Sequence, residues 1–316
     1  MKPKQTITKI LWNSLLVIFL GTLLAGQARG QIYEANYAGN TIGEYDATTG
    51  APINASLVSG LSNPNGIAVS GGDIFVANSG SNTIGEYTTS GGTVNASLVS
   101  GLSTPAGLVV SGGDIFVANL SGGTIGEYNA ITGVPINASL VSGLNAPIGI
   151  AVSGGNIFVV NNGNNTIGEY NATTGAPINA SLVSGLGNAT GVTVSGGDIF
   201  VVNSGSNTIG EYDATTGAPI NASLVSGLNN PEGIAVSGGN IFVANTIANT
   251  GTIGEYDAVT GAAINASLVS GLNEPTFIDA VPEPSTWAAA LLTAGALLYS
   301  IWRRRKTAVR TWTASA

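Results

Sequence analysis

The chain of 316 residues contains no cysteine, no histidine and a single methionine. Without cysteine it has no disulfide framework, no thiolate metal site and no sulfur nucleophile. Without histidine it lacks the usual general base and the commonest zinc ligand, so Ser-His-Asp and Cys-His mechanisms are excluded. Aromatic residues make up 6% and charged residues 8% of the chain. Basic residues are missing from its whole middle. All nine Lys and Arg lie at positions 2–29 or 303–310, and none occurs between 31 and 282. That body carries sixteen acids and cannot form an internal salt bridge between side chains. Nucleic acid and anionic lipid are therefore poor partners for it, and cations are suitable ones. The chemistry that remains belongs to carboxylates, amides and hydroxyls, which suit hard cations or sugars.

What the sequence has in quantity is glycine, 46 residues, about twice the usual share. A helical protein would not tolerate so much glycine, whereas a β protein with many tight turns uses it at positive φ. The sequence also repeats. The Tyr of IGEY recurs at Tyr45, Tyr87, Tyr128, Tyr170, Tyr212 and Tyr256, at intervals of 42, 41, 42, 42 and 44 residues. NASLVSGL starts at Asn54, Asn95, Asn137, Asn179, Asn221 and Asn265, and IFVAN or a variant starts at Ile32, Ile74, Ile115, Ile157, Ile199 and Ile241. In one unit, four runs rich in β-branched and aromatic residues span 66–70, 73–78, 83–87 and 94–99, and Gly, Asn and Ser separate them. This is the pattern of four short strands joined by hairpins.

Four strands in about 40–45 residues is the period of a propeller blade. The strand order is offset at the ends. The chain supplies strands two to four of one blade at 32–58 and its first strand only at 277–280. A ring closes in this way, because the last strand pairs with the first three and leaves no blade open. The prediction is an all-β, six-bladed β-propeller of four-stranded blades over 31–281. Within a blade, Ile74 and Val76 are expected to pack one way and Phe75 and Ala77 the other. On the outer strand, Ile53, Ala55 and Leu57 are expected on one face and Asn54, Ser56 and Val58 on the other. The repeats resemble NHL and YVTN-type propeller repeats, on the order GIAV, IFVAN, N-T-I-x-x-Y-D and a T-G turn, over about 250 residues. The resemblance implies a fold rather than a function, because such folds host binding modules, scaffolds and enzymes.

The two ends read as addresses. Residues 1–30 pair Lys2, Lys4 and Lys9 with an apolar run at 10–25 and then small residues, the form of a signal peptide cleaved after Ala28 or Gly30. Residues 282–306 hold Pro282, Glu283 and Pro284, an apolar stretch at 286–302 and the cluster Arg303, Arg304, Arg305 and Lys306. Seventeen residues of helix would span about 25 Å, near the lower limit for crossing a bilayer. Trp287 and Trp302 stand at its two ends, where interfacial aromatics belong. This segment resembles the PEP-CTERM sorting signal. The resemblance implies signal peptidase and exosortase as partners during export, a membrane-anchored precursor, and release to the cell surface or an exopolysaccharide matrix. Residues 307–316 form a short tail.

Candidate sites follow from where the repeats agree and where they differ. The six glutamates at 44, 86, 127, 169, 211 and 255 lie on the third strand from the axis. They cannot converge there, so a packing or solubility role is expected for them. Asn78, Asn82, Asn203 and Asn207 in the loops after the second strand are expected to shape turns. The six NAS triplets are read as strand sequence rather than as glycosylation sites.

The loops before the innermost strands differ most: SNPN at 62–65, STPA at 103–106, NAPI at 145–148, GNAT at 187–190, NNPE at 229–232 and NEPT at 273–276. They are expected to ring one mouth of the channel, with Asn65, Thr190, Glu232, Glu274 and Thr276 as binding residues. The expected function is that of a non-enzymatic scaffold or binding module for a glycan, a cation or a protein. No cofactor is required, and Ca2+ is the ion its donors would suit. The alternative is a metal-dependent propeller enzyme of the gluconolactonase or lyase type. Glu232, Glu274 and Asp279 would be its carboxylates. The streptogramin lyase type is similar in repeat style, but a catalytic histidine is part of that resemblance and this chain has none.

Overall fold

The computed structural model describes residues 30–281. The expected signal peptide, sorting segment and transmembrane helix lie outside the described residues. Among the described residues, twenty-four strands form six antiparallel sheets of four. Blade 1 joins the inner strand Pro275–Val281 to Gln31–Asn36, Thr41–Asp46 and Pro52–Ser59. Blades 2 to 6 are continuous in sequence, and their inner strands are Pro64–Ser70, Pro105–Ser111, Pro147–Ser153, Ala189–Ser195 and Pro231–Ser237. Each inner strand touches the inner strands of the two adjacent blades, and that of blade 1 touches those of blades 6 and 2. The ring is therefore closed as the split repeat predicts.

The second strand of every blade is buried on both faces, which is why it is almost continuously apolar. In blade 2, Ile74 and Val76 pack into a cluster shared with blade 1, and Phe75 and Ala77 into one shared with blade 3. The core is thus a set of seams between blades. The outer strand departs from the expected alternation. In Pro52–Ser59 the first five residues are exposed whichever way they point, and only Leu57 and Val58 are buried. The register shifts where Glu44 faces Asn54, and the Ser56 amide donates to Asn54 Oδ1 at 3.1 Å. That bulge ends two-sided packing halfway along the strand.

Turn chemistry matches the sequence. Gly71 and Gly72 both have positive φ, 65° and 94°, as a type I′ hairpin requires. In the turn after the third strand, Asp46 Oδ1 accepts from the amides of Thr48 and Thr49 and from the Thr49 hydroxyl at 2.8–3.0 Å. The glycine that ends this turn serves two purposes. Gly133 has φ of 68°, and a Cβ there would lie 1.9 Å from the Leu98 carbonyl oxygen of the preceding blade. The turn can rest on its neighbour only because the side chain is absent.

Candidate functional site

The loops before the inner strands stand at one mouth of the ring, and each reaches it by the same path. The residue before the first strand residue has positive φ in all six: Asn63, Thr104, Ala146, Asn188, Asn230 and Glu274, between 49° and 56°. Asparagine is the residue that best tolerates this conformation after glycine, which accounts for three of the six. The expected loop-shaping asparagines support this path. Asn78 Oδ1 and Asn203 Oδ1 accept from the amides of Ser62 and Gly187, and Asn82 Oδ1 and Asn207 Oδ1 from those of Thr104 and Asn230.

The residue two places beyond the left-handed one is then presented at one level in every blade. These six are Asn65, Ala106, Ile148, Thr190, Glu232 and Thr276. Four of the five predicted binding residues thus share one rung of the ring, and Glu274 sits beside it. The structure divides them by role. Thr276 is buried, and its hydroxyl donates toward the carbonyls of Ala35 at 3.1 Å and Asn65 at 3.0 Å. Thr190 is also buried, and its hydroxyl donates to the Glu232 carbonyl at 3.0 Å. Both threonine hydroxyls are used in joining neighbouring blades, because a buried hydroxyl needs a partner.

Asn65, Glu232 and Glu274 remain half-buried at the mouth. Asn65 Oδ1 is buried and has no hydrogen-bond partner. Burial pushes the Glu232 carboxyl above its usual range. The nearby charge of Glu274 pushes the same way, and the hydroxyl of Thr246 opposes them. On the same rung, Ile148 of blade 4 packs against the apolar cluster that contains Phe277 of blade 1, which stands across the ring.

Below the mouth, the inner strands of all six blades line a cavity of about 190 Å³. Its walls are mostly Ala, Val, Ile and Leu, with Thr193 and Asp279 as the polar side chains. Asp279 occupies the address that Ala68 holds in blade 2, since Tyr33 faces Asp279 as Phe75 faces Ala68. Its Oδ2 accepts from the Val69 amide of blade 2 at 2.7 Å. Burial raises its pKa, and that bond partly offsets the rise. Asp279 and Thr276 therefore both tie the C-terminal strand to blade 2. The carboxylates of Glu232, Glu274 and Asp279 do not form a metal-ligating group: among the described residues no three or more Asp, Glu, His or Cys gather around one point.

The six third-strand glutamates do not converge either. Each faces the third residue of the second strand of its own blade and meets the first residue on the diagonal. In three blades that residue is an amide that donates to the glutamate: Gln31 to Glu44 at 2.6 Å, Asn156 to Glu169 at 2.7 Å and Asn240 to Glu255 at 2.7 Å. In the other three it is Asp73, Asp114 or Asp198. One further acid was not foreseen. Glu34 stands where the other five blades have Val76, Val117, Val159, Val201 and Val243. It is fully buried, and neither carboxyl oxygen has a partner. A repeat-by-repeat comparison reveals this departure; its burial only the fold reveals.

Residues 61–87 match the NHL repeat family model. By sequence, no curated protein matches the chain. By structure the ring is similar to a chain of a nidogen/laminin complex, with a TM-score of 0.68 and 15% identity, covering 80% of this chain and 98% of that one. It is also similar to a catalytically inactive virginiamycin B lyase from Staphylococcus aureus crystallised with quinupristin, with a TM-score of 0.58 and 19% identity, covering 80% and 90%. At such identities the likeness speaks for the propeller fold alone.

Proposed function

We propose that this chain is an exported, exosortase-sorted protein of the cell surface or exopolysaccharide matrix, whose propeller is a non-enzymatic binding module and scaffold. The observation that carries the binding reading is the mouth. Asn65, Glu232 and Glu274 bring an amide and two carboxyl groups to the rim of a largely apolar channel. Such a set suits a hydroxyl-rich ligand such as a glycan, whose hydroxyls donate to carboxylate and amide oxygens. A surface protein is the other class of partner this reading admits. The export reading rests on the residues at both ends, including Pro282, Glu283, Pro284 and Arg303 to Arg305.

The channel offers little to a metal-dependent hydrolase or lyase. Its one carboxylate, Asp279, is already engaged by the Val69 amide.

Two measurements test the proposal. The intact mass of the protein recovered from the matrix should correspond to a chain beginning near residue 29 or 31 and ending near 282. A membrane-bound species that retains 286–306 would overturn the sorting reading. Purified extracellular polysaccharide should bind the protein, and Asn65→Ala with Glu232→Gln should weaken that binding at least tenfold. Equal binding by the variant would remove the mouth as the site.

A further inference from the structure

The amide blades and the acid blades differ at one address by the exchange of an amide for a carboxylate, and that difference points to a cation. In blade 4, Asn156 Nδ2 reaches Glu169 Oε1 at 2.7 Å, and in blade 6 Asn240 does the same to Glu255. The two side chains lie on one face of adjacent strands, on the diagonal of the ladder, where long side chains meet. In blade 3 the same diagonal holds Asp114 and Glu127, and in blades 2 and 5 it holds Asp73 with Glu86 and Asp198 with Glu211. There the donor is replaced by a second acceptor. No Lys or Arg exists in the body of the chain to neutralise the pair.

Blade 3 shows most about what the pair faces. Glu127 is 9% exposed and accepts no hydrogen bond among the described residues. It opens, with Asp114, onto a cavity of about 310 Å³ between blades 3 and 4, and Ser111, Ser153 and Thr173 add oxygen atoms to its walls. Glu86 of blade 2 is equally buried, at 8%, and equally unpartnered. Burial raises the affinity of Glu86, Glu127 and Glu211 for a proton, and the charges of Asp73, Asp114 and Asp198 add to that rise. A carboxylate with no protein donor and a second acid beside it favours whatever positive group can reach it.

We propose that Asp114 with Glu127 forms a divalent-cation site between blades 3 and 4, and that Asp73 with Glu86 forms its copy. Two carboxylates with hydroxyl, carbonyl and water oxygens make an all-oxygen set, which suits Ca2+ better than a transition metal. Few charges and an open rim place the affinity with extracellular Ca2+ modules, at a Kd of about 10⁻⁴–10⁻³ M. These sites lie at the end of the blades where hairpins join the first and second strands, and they are independent of the mouth.

The chain supplies its own control. Asn at the Asp address is what blades 4 and 6 already carry, so Asp73→Asn and Asp114→Asn preserve the packing and convert each pair to the hydrogen-bonded form. Calorimetric titration of the purified full-length chain with CaCl2, against NaCl of equal ionic strength, should give saturable binding with two ions per chain. Asp114→Asn alone should leave one, and the double variant none, with the β-sheet circular dichroism unchanged. Absence of saturable binding in the parent, or two ions in the double variant, would overturn the assignment. If the double variant loses its β-sheet signal, Glu127→Gln, which keeps the volume of the side chain, takes its place and should remove one ion.

Discussion

Glu34 permits a quantitative test. It lies on the face of its strand that Ile32 also presents, in the seam where Ile32 packs with Ala244, Ile253 and Leu272 of blade 6. It has no exposed surface and no partner for either oxygen. Burial raises its carboxyl from the ordinary 4.5 to about 8. A folded-state pKa above the unfolded one means that folding takes up a proton. The stability associated with the neutral acid is complete below pH 4.5 and is lost as the pH rises through 8. A tenfold change in proton affinity is worth about 1.4 kcal/mol, so between pH 5 and pH 8 the loss is about 3–4 kcal/mol.

Replacing Glu34 by the valine that every other blade carries removes this loss. Glu34→Val should therefore be more stable than the parent by about 3 kcal/mol at pH 7, and by about 1 kcal/mol at pH 5. The assay is equilibrium unfolding in guanidinium at several pH values, followed by far-ultraviolet circular dichroism. Trp fluorescence is unsuitable because all four tryptophans lie outside 31–281. Other raised carboxyls, those of Glu86, Glu127 and Glu232 among them, tilt both curves alike. The difference between the curves isolates Glu34. Parallel stability curves for the two proteins between pH 5 and 8 would refute the reasoning.

Other expectations concern closure and turns. Thr276→Val deletes a buried hydroxyl that serves the carbonyls of Ala35 and Asn65 and should cost about 1–3 kcal/mol in the same unfolding assay; an unchanged midpoint would mean that this hydroxyl does not hold blade 1 to blade 2. Gly133→Ala should cost more than Gly143→Ala, although both glycines have φ near 70°, because a Cβ at 133 would meet the Leu98 oxygen at 1.9 Å and one at 143 would meet nothing within 4 Å. The strain of φ alone is worth about 1–2 kcal/mol, so Gly143→Ala reports strain and the excess at Gly133 reports the collision. Equal losses would contradict the close approach. If the acidic pairs hold Ca2+, millimolar CaCl2 should raise the melting temperature above the value in NaCl of matched ionic strength. Screening alone would give equal shifts.

Much of this fold was legible in the sequence because each blade is a local unit. Strand count per blade and glycine turns depend on residues within about forty positions of each other, and the period and the offset of the first and last strands follow from comparing the copies. The alternation of Ile74 and Val76 against Phe75 and Ala77 followed from strand geometry alone. The outer strand was not legible in the same way, because its alternating pattern is interrupted by the bulge at Asn54. The mouth was half legible. Variation between copies pointed to Asn65, Thr190, Glu232, Glu274 and Thr276. It could not distinguish residues that face a ligand from those that bind the ring together.

That distinction depends on neighbours far apart in the chain. Asp279 meets Val69 and Thr276 meets Ala35 only because closure sets the last strand beside the first strand of the chain and against blade 2. The same holds for charge. Composition alone established that the body has sixteen acids and no bases. Only the tertiary structure decided which of them are buried without partners, because burial is set by the seam between two blades and not by the residue or its repeat. Glu34 and Val76 share an address in the repeat and a depth in the fold. The apolar seam suits the valine, and it leaves the glutamate with the cost of desolvation and no bond to offset it.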